Sequence, residues 1–220
     1  MRTIPLWQVD AFTDRVFGGN PAAVVAFEGD WPPDSLLQAI AAENNLSETA
    51  FLLTGRNPVP LLWFTPRMEV PLCGHATLAA AFVLAGHIKP AKGGAPISFE
   101  TKSGILVVAT NGEGFVLDFP AVPVKPSGME RSRLAEILGA EVHEVFETSD
   151  RYLCVLGDET AVAQLSPDIA GIRALSLPGL IVTALASDGA FVSRYFAPAK
   201  GVDEDPVTGT SHCALAPFWG

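Results

Sequence analysis

Two stretches of this chain are written to one plan. Trp63-Phe64-Thr65-Pro66 and Tyr195-Phe196-Ala197-Pro198 each close an apolar run with aromatic-Phe-x-Pro, and Cys73 follows Phe64 at the interval that separates Asp205 from Phe196. A turn rich in Gly and Thr and the start of a helix come next in both: Gly74-His75-Ala76-Thr77 in the first, Pro206-Val207-Thr208-Gly209-Thr210 in the second. Such a repeat predicts a duplicated fold with two equivalent helix N-termini facing one cleft. The first N–H groups of a helix have no partner within it, and they sit at the positive end of the helix dipole. Two such ends suit a carboxylate-bearing ligand.

The rest of the pattern fits two halves of alternating strands with few helices, an α+β arrangement. In the first, strands are expected over Pro5–Phe12, Ala22–Phe27, Ala50–Leu53 and Leu61–Phe64, then near Ile97–Glu100, Ile105–Thr110 and Phe115–Phe119. A helix capped by Asp34 runs to Asn44, with Leu36, Leu37, Ile40 and Ala41 on one face, and a second runs from about His75 to Ala85. Pro120, Pro123 and Pro126 interrupt any period, so the division is placed at 1–119 and 120–220. Beyond it come helices near Ser132–Leu138 and Thr160–Leu165, and strands at Tyr152–Leu156, Leu180–Leu185 and Phe191–Phe196. Neither G-x-G-x-x-G nor G-x-x-x-x-G-K-[ST] occurs, which argues against a nicotinamide Rossmann unit or a P-loop.

Composition narrows the chemistry. Fourteen basic against 24 acidic residues give a net charge of -10, and no Lys/Arg cluster offers a track for phosphates, so nucleic acid is not an expected partner. No apolar run reaches the ~18–20 residues of a membrane helix, and Met1–Trp7 lacks a signal-peptide core. A cytoplasmic location is expected. Of the three cysteines, Cys154 sits in an apolar strand pattern, whereas Cys73 and Cys213 fall in loops rich in Gly, Thr and His, where chemistry is possible. Cys73, His75, His212 and Cys213 do not show the paired spacing of a structural zinc site, and no metal or cofactor is expected. His87, His143 and Glu43 read as surface residues.

Glu48 stands between a helix end and the apolar strand Thr49-Ala50-Phe51-Leu52-Leu53. Partial desolvation there would raise its pKa towards a range useful for acid–base work. Asp205-Pro206 also reads as an ordinary helix cap with proline at the first helical position. Cys73 also reads as a small buried residue, Glu48 as a solvent-facing one, and His75 as a proton relay, an acid-binding group or a helix-start hydrogen-bonding residue.

Gln8-Val9-Asp10-Ala11-Phe12-Thr13, Gly19-Asn20-Pro21-Ala22, Asn45-Leu46-Ser47-Glu48-Thr49-Ala50-Phe51, Phe64-Thr65-Pro66, Cys73-Gly74-His75-Ala76-Thr77 and Asp205-Pro206-Val207-Thr208-Gly209 together resemble the PhzF-like family. The resemblance implies a diaminopimelate epimerase-like fold: two pseudo-symmetric halves, each a mixed sheet around a central helix, with the active site between them, in a homodimer. It implies Glu48 as the acid–base residue moving a proton on a small unsaturated or amino acid. Asp205 and His75 would stand around that substrate, and Cys73, Gly74, Gly209 and Thr210 would bind it. Thr210 falls where PhzF carries serine. The related epimerases use two cysteines at the positions of Cys73 and Asp205, so a symmetric two-thiol racemase is not expected.

The expectation is therefore a cofactor-independent isomerase acting on a small carboxylic acid. Its rivals are an epimerase, racemase or dehydratase using Cys73 and Asp205, and a non-catalytic small-acid-binding protein. Family chains continue past the second central helix, so the second half is expected to be incomplete at its C-terminus. Pro217 is expected to kink or end that helix early.

Overall fold

The computed structural model describes residues 3–88, 95–110 and 114–220, so Met1 and Arg2 of the amino-terminal segment lie outside the described residues. The chain divides into two compact units, Met1–Phe119 and Pro120–Gly220.

The first unit runs β1 (Leu6–Ala11), β2 (Asn20–Glu28), α1 (Asp34–Asn44), β3 (Glu48–Thr54), β4 (Val59–Phe64), β5 (Glu69–Val70), α2 (Gly74–Val83), β6 (Ile97–Thr101), β7 (Gly104–Thr110) and β8 (Phe115–Leu117). Its sheet has the order β1-β2-β3-β4-β6-β7-β8, with β5 paired to β4. Alternation along the central strands serves two cores, because successive side chains leave a strand on opposite faces. Val24, Ala50, Leu52, Leu61 and Trp63 pack with the alanines of α2. Val25, Phe27, Phe51, Leu53 and Phe64 pack with Leu37 and Ala41 of α1. Leu37 is wholly buried, and its truncation to alanine is expected to cost about 2–5 kcal/mol.

Helix α2 is apolar all round, as a helix enclosed by its own unit must be. Ala76, Ala79, Ala80, Ala81 and Val83 are buried, and the helix touches β1, β2, β3 and β8, so the sheet wraps round it. It continues into a π-helical turn over Leu84–Ile88. Asp34, expected as the cap of α1, is instead its first helical residue, and the capping position is Pro33, which has no side chain to hydrogen-bond. Asp34 still favours the helix start through the dipole. Asn45 ends α1 in the left-handed conformation at φ 51°, a role asparagine tolerates.

The second unit runs β9 (Lys125–Pro126), α3 (Arg131–Leu138), β10 (Glu144–Glu147), β11 (Arg151–Val155), α4 (Glu159–Ala163), α5 (Ile169–Arg173), β12 (Gly179–Leu185), β13 (Phe191–Ala197), β14 (Val202–Asp205) and α6 (Gly209–Trp219). The sheet order is β14-β13-β12-β11-β10-β9. One face, with Cys154, Leu180, Val182 and Phe196, packs with Leu134, Leu138, Val162 and Ile172 of the short helices. The other, with Leu153, Val155, Ile181 and Tyr195, packs with Ala214 and Leu215 of α6.

The two units share a pairing sequence. β1 with β2 is antiparallel, β2 with β3 parallel, β3 with β4 antiparallel and β4 with β5 antiparallel. The same signs recur for β10 with β11, β11 with β12, β12 with β13 and β13 with β14. Helices fill the parallel crossover in each unit, α1 in the first and α4 with α5 in the second, and a further helix follows the fifth strand of each run, α2 after β5 and α6 after β14. The repeated aromatic-Phe-x-Pro motif is the end of β4 and of β13.

Pro217 does not end α6, which runs on to Trp219. A mid-helix proline normally orphans the carbonyl one turn back. Here that carbonyl, on Cys213, accepts the Val122 N–H at 2.8 Å. The last turn is further held by Trp219 Nε1 donating to Thr183 Oγ1 at 3.1 Å and by the Phe218 ring against Phe146 at 4.9 Å. Cys213, expected in a loop, therefore lies inside a helix, half-buried.

Candidate active site

In the first unit Glu48, Cys73 and His75 come together. Glu48 is the first residue of β3, and the parallel register sets it opposite Ala22 of β2. Cys73 caps α2 in an extended conformation, and His75 lies in the first turn of that helix. Thr77 secures the start, its hydroxyl donating to the Cys73 carbonyl. The His75 ring bridges the group: Nε2 is 3.5 Å from Glu48 Oε2, and Nδ1 is 3.5 Å from Cys73 Sγ. Glu48 is 16% exposed against 3% for His75, so the carboxylate is the member that meets solvent.

Burial of the imidazole lowers its pKa from 6.5 to about 4, against a backbone hydrogen bond at Pro21 that acts the other way. The Glu48 contact thus joins a carboxylate to an uncharged ring at neutral pH, at a separation longer than a good N–H···O bond. Asn20, at the start of β2 and fully buried, sets its Nδ2 3.3 Å from His75 Nδ1. Gly19 makes that approach possible: its φ is +62°, and a Cβ there would meet the Ala11 carbonyl oxygen at 2.1 Å. Asn20 is a buried neighbour of the site that sequence reasoning gave no role, because Gly19-Asn20-Pro21 reads as a turn and as part of a family-like motif, without a function for the amide.

In the second unit Asp205 ends β14 and accepts a hydrogen bond from Thr208 Oγ1. Thr208 occupies the capping position of α6 and Gly209 and Thr210 open the helix, so Asp205 is not the N-cap, nor Pro206 the first helical residue. Thr210 Oγ1 accepts from Arg151 Nη1 at 3.4 Å. Arg151 is itself held by two bonds of 2.8 Å to the Asp150 carboxylate and lies over the Tyr195 ring at 5.3 Å. Burial alone would raise the Asp150 pKa, but the hydrogen bond and charge of Arg151, with Lys200 beyond, outweigh it and hold the carboxyl well below its ordinary value. Arg151 too was missed: it precedes the apolar run from which its strand was read. Cys154 is a core thiol, its pKa pushed up to about 12 by burial. His87, His143 and Glu43 are exposed.

The sulfur of Cys73, an oxygen of Glu48 and a ring nitrogen of His75 all lie within 4.8 Å of one another. A carboxyl group, a thiol and a neutral imidazole gathered around one helix start are groups able to take up and release protons. Among the described residues no helix is long and apolar enough to cross a membrane.

These paired pseudo-equivalent units, with chemistry gathered at the helix starts, define the diaminopimelate epimerase-like class of α+β proteins. A predicted epimerase from Pseudomonas aeruginosa shares the fold at a TM-score of 0.73 and 23% identity, over 98% of this chain and 81% of that one. The profile of the phenazine biosynthesis-like protein family (PhzC-PhzF) matches residues 9–220, and the chain belongs to that family. It is 47% identical over 216 residues to an uncharacterized isomerase of Pseudomonas aeruginosa, covering 98% of this chain and 82% of the relative. A crystal structure of a PhzF-family protein from Enterococcus faecalis matches with a TM-score of 0.89 and 43% identity, over 99% of this chain and 82% of that one.

Proposed function

We propose that this protein is a cofactor-independent isomerase that moves a proton on a small carboxylic acid, with Glu48 as the shuttling group. The observation that carries the reading is the Glu48 carboxylate, part-exposed and 3.5 Å from the Nε2 of a buried, neutral His75 at the start of α2. Relatives 47% and 42% identical to this chain carry the name isomerase, which supports it.

In this mechanism Glu48 takes a proton from a substrate carbon, and the C–H electrons pass into the adjoining unsaturated acid. The negative charge that develops is met by fixed donors, among them the amides at Gly74 and His75. Glu48 then returns the proton to a different carbon, so a C–H bond is broken, another is made, and no electron leaves the substrate. A neutral His75 suits this work, because a charged imidazolium beside Glu48 would weaken it as a base. Gly209, Thr210 and Asp205, at and just before the start of α6, are candidates for contacts with the substrate. We take the working form to be a homodimer in the cytoplasm, which light scattering of the purified protein tests for its oligomeric part.

Proton exchange tests the catalytic part. Glu48→Gln should reduce deuterium incorporation from D2O into a turned-over small acid by at least about a hundredfold, while Cys73→Ser should leave most of it. The contact of Cys73 Sγ with His75 Nδ1 favours one alternative, an epimerase, racemase or dehydratase in which Cys73 works with Asp205. Loss of exchange in Cys73→Ser with retention in Glu48→Gln would establish that alternative. A protein that binds small acids tightly and exchanges no proton on any of them would be a binding protein.

A further inference from the structure

Glu48, Cys73 and His75 differ in donor chemistry in a way that proton transfer alone does not require. One offers sulfur, one nitrogen and one oxygen, from two elements, all within 4.8 Å. Calcium and magnesium favour all-oxygen sites, whereas a thiolate, an imidazole and a carboxylate together suit zinc. With zinc bonds of about 2.0–2.3 Å, the edges of a tetrahedral site are about 3.3–3.7 Å. The Nε2···Oε2 separation of 3.5 Å already has that length. The sulfur lies within 4.8 Å of a Glu48 oxygen, so that edge has to close by up to roughly 1 Å.

Charge and support favour the same occupant. The start of α2 presents a positive dipole end that opposes a bare cation. A thiolate and a carboxylate cancel the two charges of zinc, so the loaded site is neutral. Binding releases the thiol proton to solvent. With zinc on Nε2, His75 Nδ1–H needs an acceptor, and the buried Asn20 amide at 3.3 Å supplies one by turning its oxygen to the ring. Three protein ligands leave a fourth position for water.

We propose that Glu48, Cys73 and His75 bind one zinc ion, and that zinc held there switches the acid–base site off. The metal site stands on the ligand geometry alone, whereas the switch rests on the reading of Glu48 as the proton shuttle.

Cobalt(II) is the probe for the site. Titrated into the chelator-stripped full chain, it should load one equivalent, give a thiolate-to-cobalt band in the near ultraviolet, and be displaced by zinc. Cys73→Ser, checked for folding by circular dichroism, should lose the band. Cys213→Ser should keep it, although its thiol neighbours His212. Glu48→Gln should keep the band and weaken loading at least about tenfold, as losses in a ligand shell do. No band in the unaltered chain, or a band that survives Cys73→Ser, would overturn the metal site. The switch is read separately, by deuterium exchange into a panel of small amino acids and unsaturated acids. Zinc at one equivalent should suppress exchange and a chelator restore it. Undiminished exchange in zinc-loaded protein overturns the switch, whereas absence of exchange in the metal-free form of a protein that loads cobalt as above counts against the isomerase reading instead.

Discussion

The buried His75 ring is met from three parts of the first unit: Glu48 on β3 stands 3.5 Å from Nε2, and Cys73 at the head of α2 and Asn20 on β2 both face Nδ1. Removing the Asn20 amide should therefore be felt beyond its own volume. Asn20→Ala is expected to destabilise the protein by about 1–3 kcal/mol in urea unfolding, the cost of a buried polar group losing its partner. Gly19→Ala should cost at least as much, since its Cβ would meet the Ala11 carbonyl at 2.1 Å in a backbone at φ +62°. At this scale the sequence was informative where a polar residue broke an apolar pattern. Glu48 before Thr49-Ala50-Phe51 and His75 before an alanine-rich helix stood out in that way. Asn20 and Arg151 did not, because one sits among turn residues and the other beside Asp150, where an ion pair of neighbours is ordinary.

Elements with strong periodicity were legible to within a residue or two, as α1 over Asp34–Asn44 and β12 over Gly179–Leu185 show. Those missed were short, among them β10 (Glu144–Glu147), which lies between β9 and β11, the edge strand β14 (Val202–Asp205) and the single turn α5 (Ile169–Arg173). Four or five residues hold too little apolar pattern to signal a strand or helix, and such pieces form because their neighbours present hydrogen-bonding edges. Helix α6 failed for another reason. A proline's effect depends on whether the freed carbonyl finds a donor, and Val122 is far away in sequence. It follows that Pro217→Ala should change the melting free energy by less than about 1 kcal/mol, well short of the ~3 kcal/mol of an uncompensated helix proline. Trp219→Phe, which leaves Thr183 Oγ1 without its indole donor, should cost about 0.5–1.5 kcal/mol by the same measurement.

Across the molecule, the recurrence of one pairing sequence in both units is what the short motif repeat foretold. A few matched residues sufficed because aromatic-Phe-x-Pro ends the fourth strand of each run, ahead of one short strand and then the helix. The electrostatics of the two units differ, and pH tells them apart. The folded-state pKa of Asp150 is depressed below 3.8 by Arg151 and Lys200. Its contribution to stability is present above the unfolded value and is lost as pH falls through the folded one. Stability followed from pH 6 down to pH 2 should therefore decline less steeply in Asp150→Asn, which starts lower at pH 6. The alanines of α2 carry a last consequence. Side chains this small let strands approach the helix axis closely, and Ala80 has no exposed surface at all. The spacing between Glu48 and His75 is thus gauged by methyl groups, since one residue rides on the strand and the other on the helix. Ala80→Val, touching neither, should push strand and helix apart, cost about 1–3 kcal/mol and slow proton exchange as well.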